Sequence, residues 1–457
     1  MALFVVFAFV IGYLAITLEH SLKIDKLIPA LLMMALAWVG VSLGMGDFVQ
    51  WFNSATNEIV DISSYTEGER ANLLQETLIH HVGKTTEILI FLIGAMSIVE
   101  IIDHFDGFSV IKSFIRTNKK RSLLWLMGAL AFFLSSIIDN LTATIVLITI
   151  LRKLIDSKED RMWYAGLIII AANAGGAWSP IGDVTTTMLW MGGKVTAIKL
   201  MEYLFLPSLI TFLIPFFIAS FLPVFKGEFD KPEKDKDANP RAAFILYLGL
   251  AMIVFVPVFK SIFGLPPYIG MMFSLAIVSI FAELISAKQF KMSFSGVSDE
   301  VEEGDNPSVD KSSPTLLALT RIEMPSILFF LGILMAVGAM ESLGLIFNFG
   351  TAVQEMMHVD IFIIILGVAS AVIDNVPLVA ASMGMFTEEV DHLVWHFIAY
   401  SAGTGGSILI IGSAAGVVAM GMEKISFFWY VKNISLLALL GFIAGAAWYL
   451  MERAVFG

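Results

Sequence analysis

Eight apolar stretches, each long enough to cross a bilayer, set the terms on which this chain can fold: residues 2–18, 26–45, 86–103, 201–225, 241–260, 266–286, 324–345 and 428–451. A helical crossing of the hydrocarbon core takes about 17–25 apolar residues. Every backbone N–H and C=O inside that core must be paired within the protein, and for runs of this length the helix is the solution. Composition agrees, with 58% of the 457 residues hydrophobic and 15% charged, where soluble domains carry about 25% charge. The chain reads as an all-α polytopic membrane protein. Its net charge of −12 names no partner, because the acids gather mainly in the loops at 46–87, 226–240 and 287–323. It contains no cysteine, which excludes disulfides, thiol chemistry and thiolate metal sites. The first apolar run has no basic segment before it, whereas Lys23 and Lys26 follow it. That pattern predicts a first span with its N-terminus outside rather than a cleaved signal peptide.

Four further regions are apolar but interrupted. Residues 122–156 and 357–387 each carry Asp-Asn near the middle, and 162–192 and 392–421 each carry a glycine-rich polar patch. A break at bilayer depth exposes backbone groups that only protein or cavity water can satisfy, so such breaks line sites. A carboxylate there costs several kcal/mol and is a functional hypothesis by default.

The interruptions pair up. IIDNLTA (137–143) matches VIDNVPL (372–378) at an offset of 235, and AANAGGAWSPIG (171–182) matches SAGTGGSILIIG (401–412) at 230. Pro29 with Met33-Met34 matches Pro267 with Met271-Met272 at 238, and FLIG (91–94) matches FFLG (329–332) at the same shift. Their common order predicts two copies of one unit, 1–225 and 241–457, joined by a cytoplasmic linker over 226–240. If 122–156 and 357–387 are re-entrant hairpins, each unit has five full spans besides its hairpin, one of them a broken helix. Five is odd, so the second repeat is inverted. This places 22 of the 28 basic residues inside and six outside, the bias expected of cytoplasmic loops. Two full crossings in place of each hairpin give the same sidedness, so the charge bias does not decide re-entry. Both termini are then outside the cytoplasmic (inner) membrane. Inverted repeats with discontinuous helices are the architecture of secondary transporters, with the site near the midplane.

The Asp-Asn tip followed by NAGGAWSPIGD, with IDN and GTGG in the second half, resembles the NhaD sodium/proton antiporters. These sit in the ion transporter superfamily beside dicarboxylate/citrate and arsenite carriers. The resemblance spans nearly the whole chain. It implies an elevator-type homodimeric carrier that exchanges Na⁺ or Li⁺ for H⁺, with lipids around it. No cofactor, nucleic acid or soluble partner is expected. One departure stands out: Thr142 follows the first Asp-Asn where the second has Pro377, so the tips are not equivalent.

The residue types suit such an exchange. Na⁺ takes oxygen ligands, and here Asp139 offers charge, Asn140 an amide, and Ser136 and Thr142 hydroxyls. The first broken helix adds Asn173, Ser179, Asp183 and Thr185, and Gly175, Gly176 and Gly182 permit a tight, non-helical backbone. Asp374, Asn375, Ser370, Thr404, Ser407 and Ser413, with Gly405 and Gly406, form the corresponding set, with Ser413 standing where the first repeat has Asp183. Asp139 and Asp183 are expected to flank the ion and exchange protons, with Asp374-Asn375 completing the site or stabilising the second tip. Structural readings compete. The aspartates also suit helix caps, and the glycines suit close packing. Glu87 and Glu323 begin spans and read as antechamber ligands or proton relays, or as interfacial carboxylates in water. His80 and His81 lie in ANLLQETLIHHVGKTTE, an outside segment that reads as an amphipathic helix, where they read as solvated loop histidines or as a pH sensor.

The other function classes fit less well. No Lys or Arg lies in 127–149, 165–193, 361–386 or 395–421, so a dicarboxylate or arsenite anion would meet unneutralised carboxylates. An intramembrane enzyme needs a nucleophile–base pair or a metal motif such as HExxH, and none is present.

Overall fold

The computed structural model describes residues 1–53, 58–113, 115, 117–229, 240–295 and 313–456; the centre of the predicted linker, 230–239, lies outside them. Among the described residues, seven helices are long and apolar enough to cross a membrane: Leu27–Gly44, Glu67–His104, Ala197–Ala219, Pro240–Phe263, Pro267–Ala287, Met324–Ser342 and Phe427–Val455. An eighth is reached if Leu345–Met356 and Val359–Ala369, bent by 118° at their break, count as one span. Ala2–Thr17 is equally apolar but shorter. The protein is a mostly helical, multi-pass membrane protein.

Leu27–Gly44 shows how. Pro29, Ala30, Met33, Ala37, Gly40, Val41 and Gly44 are buried, while Ile28, Leu32, Val39 and Leu43 on the opposite stripe are exposed. A helix apolar on every side, with its small residues inward and its large aliphatics outward, is built for lipid.

Two compact units are present. One comprises Met1–Leu89, Thr117–Pro232 and Met324–Gly457, and the other Ile90–Arg116 and Glu233–Glu323. In the first, Leu27–Gly44 packs on Ala2–Thr17 and on Met324–Ser342. The backbones close in where Gly332 faces the Ala30 carbonyl carbon, which an added Cβ would meet at 2.7 Å. In the second, Pro240–Phe263 packs on Pro267–Ser295, and Ser274 donates to the Met252 carbonyl at 2.8 Å.

Two features depart from the sequence reading. The all-α expectation meets a short antiparallel hairpin, Gln50–Asn53 paired with Glu58–Asp61. Its Trp51 joins a core with Val5, Ala37, Val41, Met45, Ile62 and Ala339. Arg70 fastens this loop, donating to the carbonyls of Met45, Phe48 (3.0 Å), Ile62 (2.8 Å) and Tyr65 (3.2 Å). The segment 71–87, expected as a separate amphipathic helix, is instead the first half of one 38-residue helix, Glu67–His104.

Candidate functional site

Four helix breaks meet within the first unit. The first hairpin is Lys120–Ser135 and Asn140–Leu154, which pack on each other. The second is Val359–Ala369 and Asn375–Met385. The broken helices are Lys158–Ala177 with Val184–Met191, and Leu393–Gly405 with Ala414–Glu423. The half-helices cross over. Asn140–Leu154 packs on Ala414–Glu423, and Asn375–Met385 packs on Val184–Met191.

Each break follows from local chemistry. Asp139 is an N-cap: Oδ1 accepts from the Thr142 amide at 2.8 Å and Oδ2 from the Thr142 hydroxyl at 2.7 Å, a favoured helix start. At the second tip the third helical residue is Pro377, which has no N–H to cap. Asp374 Oδ1 therefore accepts from the Val376 amide at 3.3 Å, and Oδ2 takes the Lys26 ammonium at 3.0 Å. Ser135 and Ser370 tie the hairpins to the broken helices, donating to the carbonyls of Ala172 (2.6 Å) and Ala402 (2.8 Å).

The glycines act by lacking a Cβ. Added at Gly175, it would lie 2.1 Å from the Phe132 carbonyl oxygen, and at Gly405 1.9 Å from that of Gly367. Gly176 and Gly406 stand in the same way against the carbonyls of Gly182 (2.6 Å) and Gly412 (2.7 Å). None of the four has a positive φ, so close approach, not left-handed backbone, explains them.

The breaks bring two polar groups together. Asn140 Nδ2 donates to Asn173 Oδ1 at 3.0 Å, Asn173 Nδ2 donates to Ser413 Oγ at 3.0 Å, and Ser413 also caps the Gly416 amide at 3.2 Å. In the other, Asp183 Oδ2 accepts from Asn375 Nδ2 at 3.1 Å and from the Thr185 hydroxyl at 2.9 Å. Asp183 is 4% exposed, and both of these partners are neutral. Asp139 turns both oxygens to Thr142.

Other expected ligands lie differently. The hydroxyls of Ser136, Thr404 and Ser407 bond to nearby carbonyls of their own segments: Phe133 (2.8 Å), Tyr400 (2.6 Å) and Thr404 (2.7 Å). Ser179 accepts weakly from the Ile181 amide at 3.4 Å. Glu323 is exposed. Glu87, His80 and His81 line a cavity of about 390 Å³ with Lys84, Lys194 and Glu341. His81 is buried, its Nε2 3.3 Å from the Ser342 hydroxyl, which a solvated loop residue would not be. Burial pushes the Lys194 ammonium below its ordinary value, opposed by the charge of Glu341.

Three further residues belong to no sequence motif. Lys26 reaches the second tip from a distant helix start. Glu423, 2% exposed, binds Arg152 (2.6 Å) and Arg161 (3.0 Å), tying the second broken helix to the first hairpin and first broken helix. His396 is fully buried, with Asp391 Oδ1 3.6 Å from its Nε2. Among the described residues, no cluster of three or more His, Cys, Asp or Glu could hold a metal ion. One carboxylate among amides and hydroxyls is instead a set of hard oxygen ligands.

Apolar spans around helix breaks that gather buried polar groups are the architecture of a multi-pass membrane transporter. A family profile described as "Citrate transporter" matches residues 13–397. "Sodium/proton antiporter 2" of Arabidopsis thaliana is 39% identical, over 97% of each chain. "Sodium/proton antiporter 1" of the same plant is 40% identical over 97% of this chain and 71% of its own. "Na(+)/H(+) antiporter NhaD" of Alkalimonas amylolytica is 31% identical over 98% of this chain and 89% of its own. The fold is similar to the YdaH transporter of Alcanivorax borkumensis, with TM-score 0.59 at 11% identity, covering 93% of this chain and 97% of that one. The chain belongs to the ion transporter superfamily, in the family that the citrate-transporter profile describes and with the NhaD-type sodium/proton antiporters among its relatives.

Proposed function

We propose that the protein exchanges Na⁺ or Li⁺ for H⁺ across the cytoplasmic membrane. The observation that carries this reading is the Asp183 carboxylate, buried and held by the neutral Asn375 and Thr185. A desolvated carboxylate without a basic partner is costly to leave bare, so it takes up either a cation or a proton. Competition between the two at one group is exchange. Asp139, next to Asn140, offers a second place for a proton. The names of the plant and bacterial relatives support the same cargo.

The architecture fits alternating access. The recurrence of the Gly175 and Ser135 contacts at Gly405 and Ser370, 230 and 235 residues on, supports two copies of one unit. Odd span counts make those copies inverted, with both termini outside and the hairpins re-entrant from opposite faces. An elevator motion would carry the hairpins and broken helices against the remaining spans, in a lipid-embedded homodimer.

The profile's description favours a second reading, a citrate or dicarboxylate carrier. An anion would meet Asp183 among neutral partners, which argues against it. Proteoliposomes with a trapped pH dye, challenged with NaCl, LiCl, KCl and citrate, separate the two. A Na⁺- or Li⁺-driven pH change that Asp183→Asn abolishes is expected. A response to citrate alone overturns the proposal.

A further inference from the structure

The fold builds its cation region from two related arrangements that differ at two positions. Asn140 and Asn375 head the helices after the two hairpin tips, and Asp183 and Ser413 hold the N-cap positions of the far halves of the two broken helices, Ser413 with a side-chain cap bond and Asp183 without one. By the AANAGG/SAGTGG match, Asn173 of the first broken helix corresponds to Gly403 of the second.

In one arrangement, the Asn173 amide fills the space between tip and cap. It accepts from Asn140 and donates to Ser413, so both of its ends are engaged. This run of three hydrogen-bonded side chains is neutral, and Asn173 is fully buried. In the other arrangement, the tip amide of Asn375 reaches the cap carboxylate of Asp183 directly. The position that would supply an intervening side chain is a glycine: a Cβ at Gly403 would sit 3.5 Å from Asp183 Oδ2 and 3.1 Å from the Ala177 Cβ.

The remaining carboxylates do not restore the balance. Asp139 has both oxygens on Thr142, and Asp374 has the Lys26 ammonium beside it. A cation entering beside Ser413 would have to break the Asn173 hydrogen bonds and would find no carboxylate at the cap.

From this asymmetry we infer that the protein binds one cation per chain, at Asp183, and that Asn173 plugs the related second position. Gly403 is then the residue that keeps the first position open. This rests on the cation-exchange reading above and adds the number of sites.

The test is direct counting. Radioactive ²²Na⁺ binding to purified protein of known concentration gives ions per chain, and Na⁺-dependent transport in proteoliposomes gives the Hill coefficient. One ion per chain and a coefficient of about 1 are expected, because a single site has no cooperativity within the chain. Gly403→Asn, which delivers an amide to Asp183 as Asn173 does to Ser413, is expected to weaken Na⁺ binding about tenfold or more. Its fold is checked by a monodisperse profile on gel filtration. Two ions per chain, or unchanged affinity in a folded Gly403→Asn protein, overturns the inference and leaves exchange standing. No Na⁺ binding by the wild-type protein removes the exchange reading, and this inference with it.

Discussion

Lys26 Nζ lies 3.0 Å from Asp374 Oδ2, joining residues 348 positions apart in the sequence. The pair exists because Pro377 denies Asp374 the second cap bond that Thr142 gives Asp139. One carboxylate oxygen is left over, and an ammonium that also lies 4.5 Å from the centre of the Phe329 ring fills the vacancy. Lys26 thereby anchors the second hairpin tip to the start of a spanning helix.

Lys26→Met should therefore destabilise the protein. Removing one partner of a buried pair costs about 3–5 kcal/mol. With Lys26 and Asp374 side chains 28% and 18% exposed, screening brings the expected loss to about 1–2 kcal/mol. Thermal unfolding in detergent should show a lower Tm for Lys26→Met, and the Lys26→Met/Asp374→Asn double variant should recover most of it. Equal losses that simply add would mean the two groups do not interact.

Gly175→Ala and Gly405→Ala should be among the most damaging small substitutions in the chain. Each new methyl would lie about 2 Å from a backbone carbonyl oxygen, and backbone cannot rotate away as a side chain can. Overpacking costs about 1–3 kcal/mol where side chains yield, so at least that much is expected at both sites. Gly83→Ala meets nothing within 4 Å and is the control. Folded yield and Tm in detergent measure the difference, and a Gly175→Ala protein as stable as Gly83→Ala would contradict the close-approach account.

Much of this architecture is legible in the sequence, and for one reason: the bilayer penalises every exception. Apolar runs mark spans because hydrocarbon demands them, and Asp-Asn or Gly-Gly inside such runs marks breaks because nothing else there tolerates polarity. What the sequence hid were partnerships. Glu423 looks like the acidic end of an apolar segment, yet its arginines lie 262 and 271 residues away. Nothing in KLIPA says that Lys26 will meet a tip aspartate. His81 read as exposed because residues 71–87 are polar, but the continuous helix turns it toward Gly338 and Ser342. The loop hairpin leaves no sequence signal because QWFN and EIVD are too short to outweigh their polar surroundings.

Glu423 gives a third prediction. Its carboxylate receives two guanidinium groups while almost wholly buried, so Glu423→Gln leaves two positive charges facing a neutral amide. Arg152 is 43% exposed and Arg161 18%, so water relieves part of the strain. The expected loss is about 1–3 kcal/mol, read as a lower Tm. A Glu423→Gln protein that unfolds at the wild-type Tm would remove Glu423 as an anchor between these elements.

Asp139 is where a structural role and a transport role can be separated cleanly. Its two oxygens cap the helix that starts at Asn140, through the amide and hydroxyl of Thr142. Asparagine caps a helix about as well as aspartate, so Asp139→Asn keeps the cap and removes only the charge. Alanine removes both, and losing a cap costs about 1 kcal/mol. If the charge serves cation and proton exchange, Asp139→Asn should hold its Tm and lose transport about tenfold or more, because a neutral amide neither balances a cation's charge nor takes up a proton. Asp139→Ala should lose transport and Tm together. The pH-dye assay and thermal unfolding, run on the same three proteins, decide it: full transport by a folded Asp139→Asn protein would leave Asp139 as a helix cap and nothing more.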